Sequence, residues 1–400
     1  MDRLVKHYAT RLVDAGLASP AHGSGPLVGG LDDELVWNRQ GPEIATLERV
    51  FADLDINSLV YLRPAEPYRA ILRFLADRAG ATIRPQDCET RTFLHDLPVT
   101  AQFTADAMVD RLKSSKSVII ASSDADGGPA VAAHGTVSPE QGFVVVSSVC
   151  FACLVKFFSD YLAALQNGAA SAEYHQAFDA VVAHLGTTNP ARPQLMTAPF
   201  DTQAAVYRAV AQAGRITVAQ GLVDSCFGNL SYRWGGILYI SQTGSSLDAL
   251  EGCVDPVPLD GSTSAGLTAS SELDTHLRTV ARTGCRAILH GHPRFAVILS
   301  LNCPPQVKAA CDATAECHLR CPRPRFIGDI PIVPGEVGSG ISGLCHSVPP
   351  ALENHRGAIV HGHGLFTTGR EDFNEALDSM LEVEKMCRQT YFEMVASMRG

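Results

Sequence analysis

The chain has 400 residues, 46% hydrophobic and 18% charged, ordinary globular material in more length than one typical core organises, so two domains are expected. The 32 Lys and Arg stand against 42 Asp and Glu, a net charge of −10, and no basic cluster with interleaved aromatics appears, which removes nucleic acid from the expected partners. The twelve cysteines are scattered with no secretory leader, so they read as reduced thiols rather than a disulfide framework.

In chain order, "MDRLVKHYATRLVDAGLAS" reads as a charged amphipathic helix without an apolar signal core. No run of about 18 apolar residues is seen, so a cytoplasmic chain with no membrane partner is expected. "GSGPLVGG" at 23–30 lacks the Lys and the strand-loop-helix setting of a phosphate loop and reads as a turn. "SLVYL", "SVIIA" and "GFVVVSS" have strand character and alternate with helical stretches such as "YRAILRFLADRAG" and "CFACLVKFFSDYLAAL", the pattern of an α/β domain. His134 in "VAAHGTVS" and the CxxC of Cys150 and Cys153 read as core groups rather than a second active site or redox pair, because a buried cysteine behaves as a small apolar residue. "QNGAASAEYHQAFDAVVAHLG" is helical by its apolar spacing, and "GTTNPARPQLMTAP" stops it. The boundary is placed near residues 186–198, giving an accessory α/β domain over 1–190 and a second domain over 199–400.

The second half carries the chemistry. "AAVYRAVAQAGRITVAQGL" reads as a helix and is followed by "GNLSYR" at 228–233, "ILYISQTG" at 237–244, "ASSEL" at 269–273, "AILHGHPRFA" at 287–296 and "AIVHGHGLFTTG" at 358–369. His290 and His292 stand two apart after an apolar run, and alternate residues of a strand project from one face, so both imidazoles can reach one ion. A catalytic Zn²⁺ takes three protein ligands and keeps one position open, and neutral imidazole is its commonest nitrogen donor. His361 and His363 are the candidates for the third; read as a strand, their segment puts both on one face, His361 one pleat earlier and so either nearer the core or behind the ligands, supporting them. Glu272 in "ASSEL" is a candidate general acid or base, and Ser-Ser-Glu is equally a helix beginning.

In this order and at these separations the segments resemble the class II aldolase and adducin family, over roughly residues 200–398. The resemblance implies an α/β/α domain with a central, mainly antiparallel sheet, preceded here by the separate α/β domain. It implies Zn²⁺ or another divalent metal on His290, His292 and His363, the last placed by its "HGL" context, with Glu272 moving the proton. Gly228, Asn229, Thr243, Gly244, Ser270 and Ser271 match family positions that hold the substrate's phosphate through backbone amides, hydroxyls and a carboxamide. Glutamate at 272, where the 4-epimerases have aspartate, favours carbon–carbon cleavage. The function so implied is a metal-dependent lyase that cleaves or forms a phosphorylated ketose, giving dihydroxyacetone phosphate or a close relative plus an aldehyde through an enediolate, in a homotetramer. The alternatives are a decarboxylase, epimerase or dehydratase on a sugar phosphate, or a scaffold with a relict site, against which three retained histidines argue.

The sequence departs from that pattern in two places. The family's aldolases use tyrosines on the aldehyde oxygen, and no tyrosine lies between Tyr239 and Tyr391. The segment 303–326 is longer than expected and holds Cys303, Cys311, Cys317 and Cys321 with His318. Its spacing matches no zinc motif, so the cysteines read as structural or surface groups, and Glu316 and His318 become the candidate replacement proton donors.

Overall fold

The structure, a computed structural model, describes residues 1–20, 25–122, 128–186, 192–223, 227–262, 264–311 and 316–399. The chain forms two compact units, Met1–Gly186 and Thr187–Gly400. Residues 23 and 24 of the Gly-rich stretch and 187–191 of the boundary stretch lie outside the described residues.

In the first unit, helix α1 (Asp2–Asp14) precedes the hairpin β1 (Leu27–Leu31) and β2 (Leu35–Trp37). Then follow α2 (Ile44–Asp53), β3 (Ser58–Leu62), α3 (Tyr68–Ala76), β4 (Thr82–Ile83), α4 (Cys88–Phe93) and β5 (Leu97–Thr100). The unit closes with α5 (Ala105–Leu112), β6 (Ser117–Ile120), β7 (Ala130–Gly135), α6 (Pro139–Gln166) and α7 (Ala172–Ala183). Among the described residues these strands form a seven-stranded sheet in the order β2-β1-β3-β7-β6-β5-β4. One face packs Leu27, Leu59, Tyr61, Val118 and Ala132 against Leu47, Val50, Met108 and Leu112 of α2 and α5, which accounts for the apolar spacing of those two helices.

Two expectations fail in α6. "GFVVVSS" is helix, not strand: its apolar run continues into "CFACLV" with no turn residue between, and extended Ser138 followed by Pro139 at the first helical position opens a helix. Nor is an apolar stretch of membrane-crossing length missing. Among the described residues α6 alone is long and apolar enough, and 83% of its most apolar window is buried inside the unit. Two of its polar groups are accommodated within the helix, Ser148 Oγ donating to Val144 O at 2.8 Å and Lys156 pairing with Asp160 at 2.8 Å. Cys150 and Cys153 lie fully buried on this helix, and burial pushes the Cys153 thiol up to about 12, which leaves it inert. His134, buried on β7, sits 3.3 and 3.2 Å from Leu112 O and Ser115 O, a core histidine kept neutral by burial.

The second unit runs α8 (Gln203–Ala219), β8 (Asn229–Trp234), β9 (Ile237–Ser241), β10 (Val254–Pro258), α9 (Leu273–Thr283), β11 (Ala287–Gly291), α10 (Arg294–Leu301) and α11 (Pro305–Ala309). It continues with β12 (Arg325–Ile327), β13 (Ile330–Val333), α12 (Leu344–Leu352), β14 (Gly357–Val360), β15 (Gly364–Gly369) and α13 (Phe373–Arg399). Among the described residues the strand order is β10-β9-β8-β11-β15-β14-β13-β12, antiparallel at every pairing except β13 with β14. The expected α/β class with a mainly antiparallel sheet is therefore observed. β11 and β15 occupy the middle, so the chain just beyond β11 and just before β15 meets at one edge of the sheet's centre.

Candidate active site

That meeting point gathers the three histidines. His290 is the fourth residue of β11, His292 follows the strand's last residue, and His363 immediately precedes β15. All three are buried, and one ligand atom from each lies within 4.8 Å of the others. His290 Nε2 and His292 Nε2 are 3.2 Å apart. On its far side His290 Nδ1 sits 3.2 Å from Leu365 O, so Nδ1 carries the hydrogen and Nε2 presents its lone pair to the cluster. The ring also stacks on Phe366 at 4.0 Å, and His292 stacks on Phe227 at 5.7 Å. Burial holds all three imidazoles neutral, His290 down to about 3, His363 to about 4 and His292 well below its usual value. Three neutral imidazoles converging on one point suit one divalent cation.

Close approach explains a glycine here. A Cβ on Gly364 would stand 2.5 Å from Gly291 O, 2.7 Å from His290 Cε1 and 2.8 Å from His292 Cδ2, so only glycine lets the two strands bring the rings together.

The expected strand through "AIVHGH" ends earlier. β14 stops at Val360, and His361-Gly362-His363 is a tight turn in which His363 N donates to Val360 O at 3.1 Å and Gly362 takes a positive φ of 64°. The turn reverses the chain and sends the two histidines apart. His361 Nδ1 lies 2.9 Å from Ser300 O and 3.3 Å from Arg325 Nη1, while Ser300 Oγ accepts from Gly362 N at 2.8 Å. His361 thus braces the turn that carries His363.

Glu272 opens α9, in keeping with Ser-Ser-Glu as a helix beginning, but does not cap the helix with its side chain. Instead its carboxylate reaches the cluster, Oε2 lying 3.6 Å from His290 Nε2 and Oε1 3.6 Å from His363 Nε2. Burial pushes this carboxyl up, against the opposing pull of His363 and of Asn229. Asn229 Nδ2 donates to Glu272 Oε2 at 2.8 Å, and His276 Nε2 sits 2.6 Å from Asn229 Oδ1. His276 Nδ1 is in turn 2.7 Å from Ser231 Oγ. His276 was not singled out in the sequence; its signal is its place four residues after Glu272 on the same helix.

The six phosphate candidates divide. Asn229 spends one Nδ2 hydrogen on Glu272 and its Oδ1 on His276, so its side chain orients the carboxylate. Thr243, Gly244, Ser270 and Ser271 form one braced loop: Ser271 N donates to Thr243 Oγ1 at 3.0 Å, Thr243 N to Thr268 O at 3.0 Å and Ser270 N to Ser241 O at 3.0 Å. Thr243, Gly244 and Ser271 are exposed, and Gly228, at φ 77°, packs against His290 O. The replacement donors do not join the cluster's hydrogen bonds. Glu316 is exposed and accepts from Arg320 Nε at 2.8 Å, while His318 O accepts from Gly335 N at 2.8 Å.

Residues 208–391 match the family model described as the class II aldolase and adducin N-terminal domain. The carboxyl-terminal unit therefore carries a class II aldolase and adducin type domain over those residues. Among solved structures it is similar to l-fuculose-1-phosphate aldolase from Thermus thermophilus, at 28% identity and a TM-score of 0.40, covering 50% of this chain and 100% of that one. It is also similar to YgbL from Klebsiella pneumoniae, at 23% identity and a TM-score of 0.37, covering 47% and 89%. A third is the sugar-phosphate aldolase from Thermotoga maritima, at 17% and 0.35, covering 48% and 96%. No curated protein matches the chain.

Proposed function

We propose that the carboxyl-terminal unit is a metal-dependent aldolase-type lyase that cleaves or forms a phosphorylated ketose, giving dihydroxyacetone phosphate or a close relative and an aldehyde. The observation that carries this reading is the convergence of three neutral imidazoles on one point with a buried carboxylate 3.6 Å from two of them. His290, His292 and His363 would hold the ion, and an all-nitrogen set of three suits Zn²⁺. Bound there, a divalent cation supplies Lewis-acid polarisation of the substrate's oxygens. Glu272, oriented by Asn229, takes or returns the proton at the carbon beside the substrate carbonyl, and its raised pKa suits it to do so near neutrality.

The phosphate would lie on the exposed loop of Thr243, Gly244 and Ser271, with Ser270 and Gly228 shaping its floor. Since the N–H groups of Thr243, Ser270 and Ser271 are spent within the loop, hydroxyls and the positive end of α9 do the holding. The enzyme acts in the cytoplasm as a homotetramer, and light scattering at micromolar concentration checks the assembly.

A screen of ketose phosphates with released dihydroxyacetone phosphate as the readout tests the activity. Release from at least one ketose phosphate, abolished by chelation and restored by Zn²⁺, is expected. Decarboxylation or epimerisation of a sugar phosphate in place of cleavage overturns the lyase reading, and no turnover of any kind by metal-loaded protein overturns the enzyme reading.

A further inference from the structure

Only His292 and Pro293 join β11 to α10, and α13 holds the chain on both sides of them. On the strand side, a Cβ on Gly291 would stand 2.7 Å from Leu222 O and 3.1 Å from Met380 Sδ, so the end of β11 lies close against α13. On the helix side Glu384, one turn beyond Met380 on the same face of α13, accepts from Phe295 N at 2.9 Å through Oε1 and from Ala296 N at 3.0 Å through Oε2. α10 opens on Pro293 and has no side-chain cap of its own, so these two N–H groups depend on Glu384. A capping carboxylate commonly comes from the residue that opens the helix; this one comes from 89 and 88 residues away and therefore also ties the helix start to α13. Burial pushes the Glu384 carboxyl up to about 7, while the two N–H groups, Arg294 and Arg388 pull the other way.

The first unit supplies a comparison within the same chain, because the two units have the same plan. With β10 set aside, the second sheet reads, in each unit's own chain order, second-first-third-seventh-sixth-fifth-fourth, which is the order of the first sheet. Every pairing keeps its sense, the one parallel pair being β5/β6 in the first unit and β13/β14 in the second. A long helix follows the last strand of each, α6 with 28 residues and α13 with 27. Tyr61 pairs with Leu27 as His290 pairs with Asn229, so Tyr61 stands at the place of His290 and Arg63 at the place of His292. Cys150, a fully buried thiol, stands as far along α6 as Glu384 along α13. α3, which follows β3 as α10 follows β11, takes a carboxylate from its own approach instead, Ala70 N donating to Glu66 Oε2 at 3.1 Å. The unit that has no histidines at those two places thus does without a carboxylate at this point of its long helix, and the unit that has them carries one.

We infer that Glu384 is a positioning residue for the metal ligand His292: from α13 its carboxylate fixes the start of α10, and with it the point at which His292 enters the cluster. This role rests on the reading of His290, His292 and His363 as the metal site. Glu384 acts through the backbone of Phe295 and Ala296 rather than by touching an imidazole. His292 N donates to Leu222 O at 2.8 Å, which ties its backbone on the strand side, and the capped helix start ties it on the other. With both ends fixed, His292 Nε2 is held 3.2 Å from His290 Nε2. An uncapped first turn frays, and a ligand that moves with it leaves the narrow distances a metal requires.

The test uses the full chain, stripped of metal, and reads Zn²⁺ affinity by competition with a chelator and the visible absorption of the Co²⁺-loaded form, which reports how the ligands are arranged. Glu384→Gln keeps the size of the side chain but sets an NH₂ group against one of the two N–H groups. Zn²⁺ affinity is expected to fall about 10-fold, with a changed Co²⁺ spectrum. Thr202→Ala is the control: Thr202 Oγ1 caps α8 in the same unit, accepting from Ala205 N at 3.2 Å, so its loss should lower the unfolding temperature and leave both metal readouts at parent values. Glu384→Gln also unbalances Arg294 and Arg388, so Glu384→Gln/Arg388→Met is made beside it. Affinity still reduced in a double variant that unfolds like the parent supports the positioning role, and affinity restored there overturns it in favour of charge. Parent-like metal readouts in Glu384→Gln, or an equal loss in Thr202→Ala, overturn the role and leave the metal site standing. A parent chain that takes up no Zn²⁺ overturns the metal site, and the role of Glu384 with it.

Discussion

Asn229 donates from Nδ2 to Glu272 Oε2 at 2.8 Å, and this one hydrogen bond fixes the direction in which the buried carboxylate faces His290 and His363. It also favours the ionised form against the burial that opposes it. Asn229→Ala removes the bond, so the carboxyl rises further and the acidic limb of the pH–rate profile moves to higher pH. Activity near neutrality should drop by about 10-fold or more, since hydrogen bonds to charged groups contribute roughly 1.5–3 kcal/mol. Measuring kcat/KM across pH checks this; a profile that only scales, without shifting, leaves Asn229 a packing residue.

Glu272 itself is separable from the ion. Glu272→Gln preserves size and the contact with Asn229 but cannot take a proton, so turnover should decrease by about 100-fold or more. Metal analysis of the same variant should still give about one ion per chain, because the three imidazoles remain. His292→Ala is the complement: metal content should collapse together with activity. A Gln variant that turns over normally moves the proton chemistry to another residue.

How much of this was legible beforehand follows from what a linear pattern can carry. His290 and His292 were readable from their spacing at a strand end, a local fact, whereas His363 and the role of Glu272 came from the family resemblance. His361 does stand behind the ligands, but not on a strand, because the end of β14 is decided by the turn at Gly362, whose φ of 64° a strand reading does not provide. "GFVVVSS" failed for a related reason, since a run buried on every side has no amphipathic period to separate helix from strand. Asn229 was assigned to a phosphate by family resemblance, and its partners Glu272 and His276, which lie 43 and 47 residues away, could not be read from its own segment. The repeated plan of the two units was invisible for the same cause: it resides in strand order and register, while the residues at its key places, Tyr61 and Arg63 for His290 and His292, share no chemistry.

His276 predicts an acid response. Burial lowers its pKa from 6.5 to about 3, so the folded chain holds it neutral while the unfolded chain protonates near 6.5. Its contribution is fully present above pH 6.5 and is lost as pH falls towards 3, by about 1.4 kcal/mol per pH unit. Comparing chelated wild type with chelated His276→Gln isolates that share, because the three ligand histidines titrate in both. The stability advantage of the wild type in thermal unfolding should shrink as pH is lowered from 7 to 4. An advantage constant across that range contradicts a neutral buried His276.

Gly364→Ala tests whether the close approach of two strand ends is what assembles the cluster. The added methyl would sit 2.5 Å from Gly291 O, 2.7 Å from His290 Cε1 and 2.8 Å from His292 Cδ2, and the first of these is backbone that cannot swing aside. The strands must part or the rings must turn, and turning His290 forfeits its Nδ1 contact with Leu365 O and its stacking on Phe366. Misplaced ligands of this sort cost metal affinity by about 10-fold to 100-fold. The fold has other supports: β11 keeps its pairing with β8, and α13 still packs Met380 and Val383 into the core. The expected result is therefore weak metal binding in a chain whose thermal unfolding remains cooperative. Full metal affinity in Gly364→Ala would show that the three imidazoles find the ion without the strand contact that Gly364 permits.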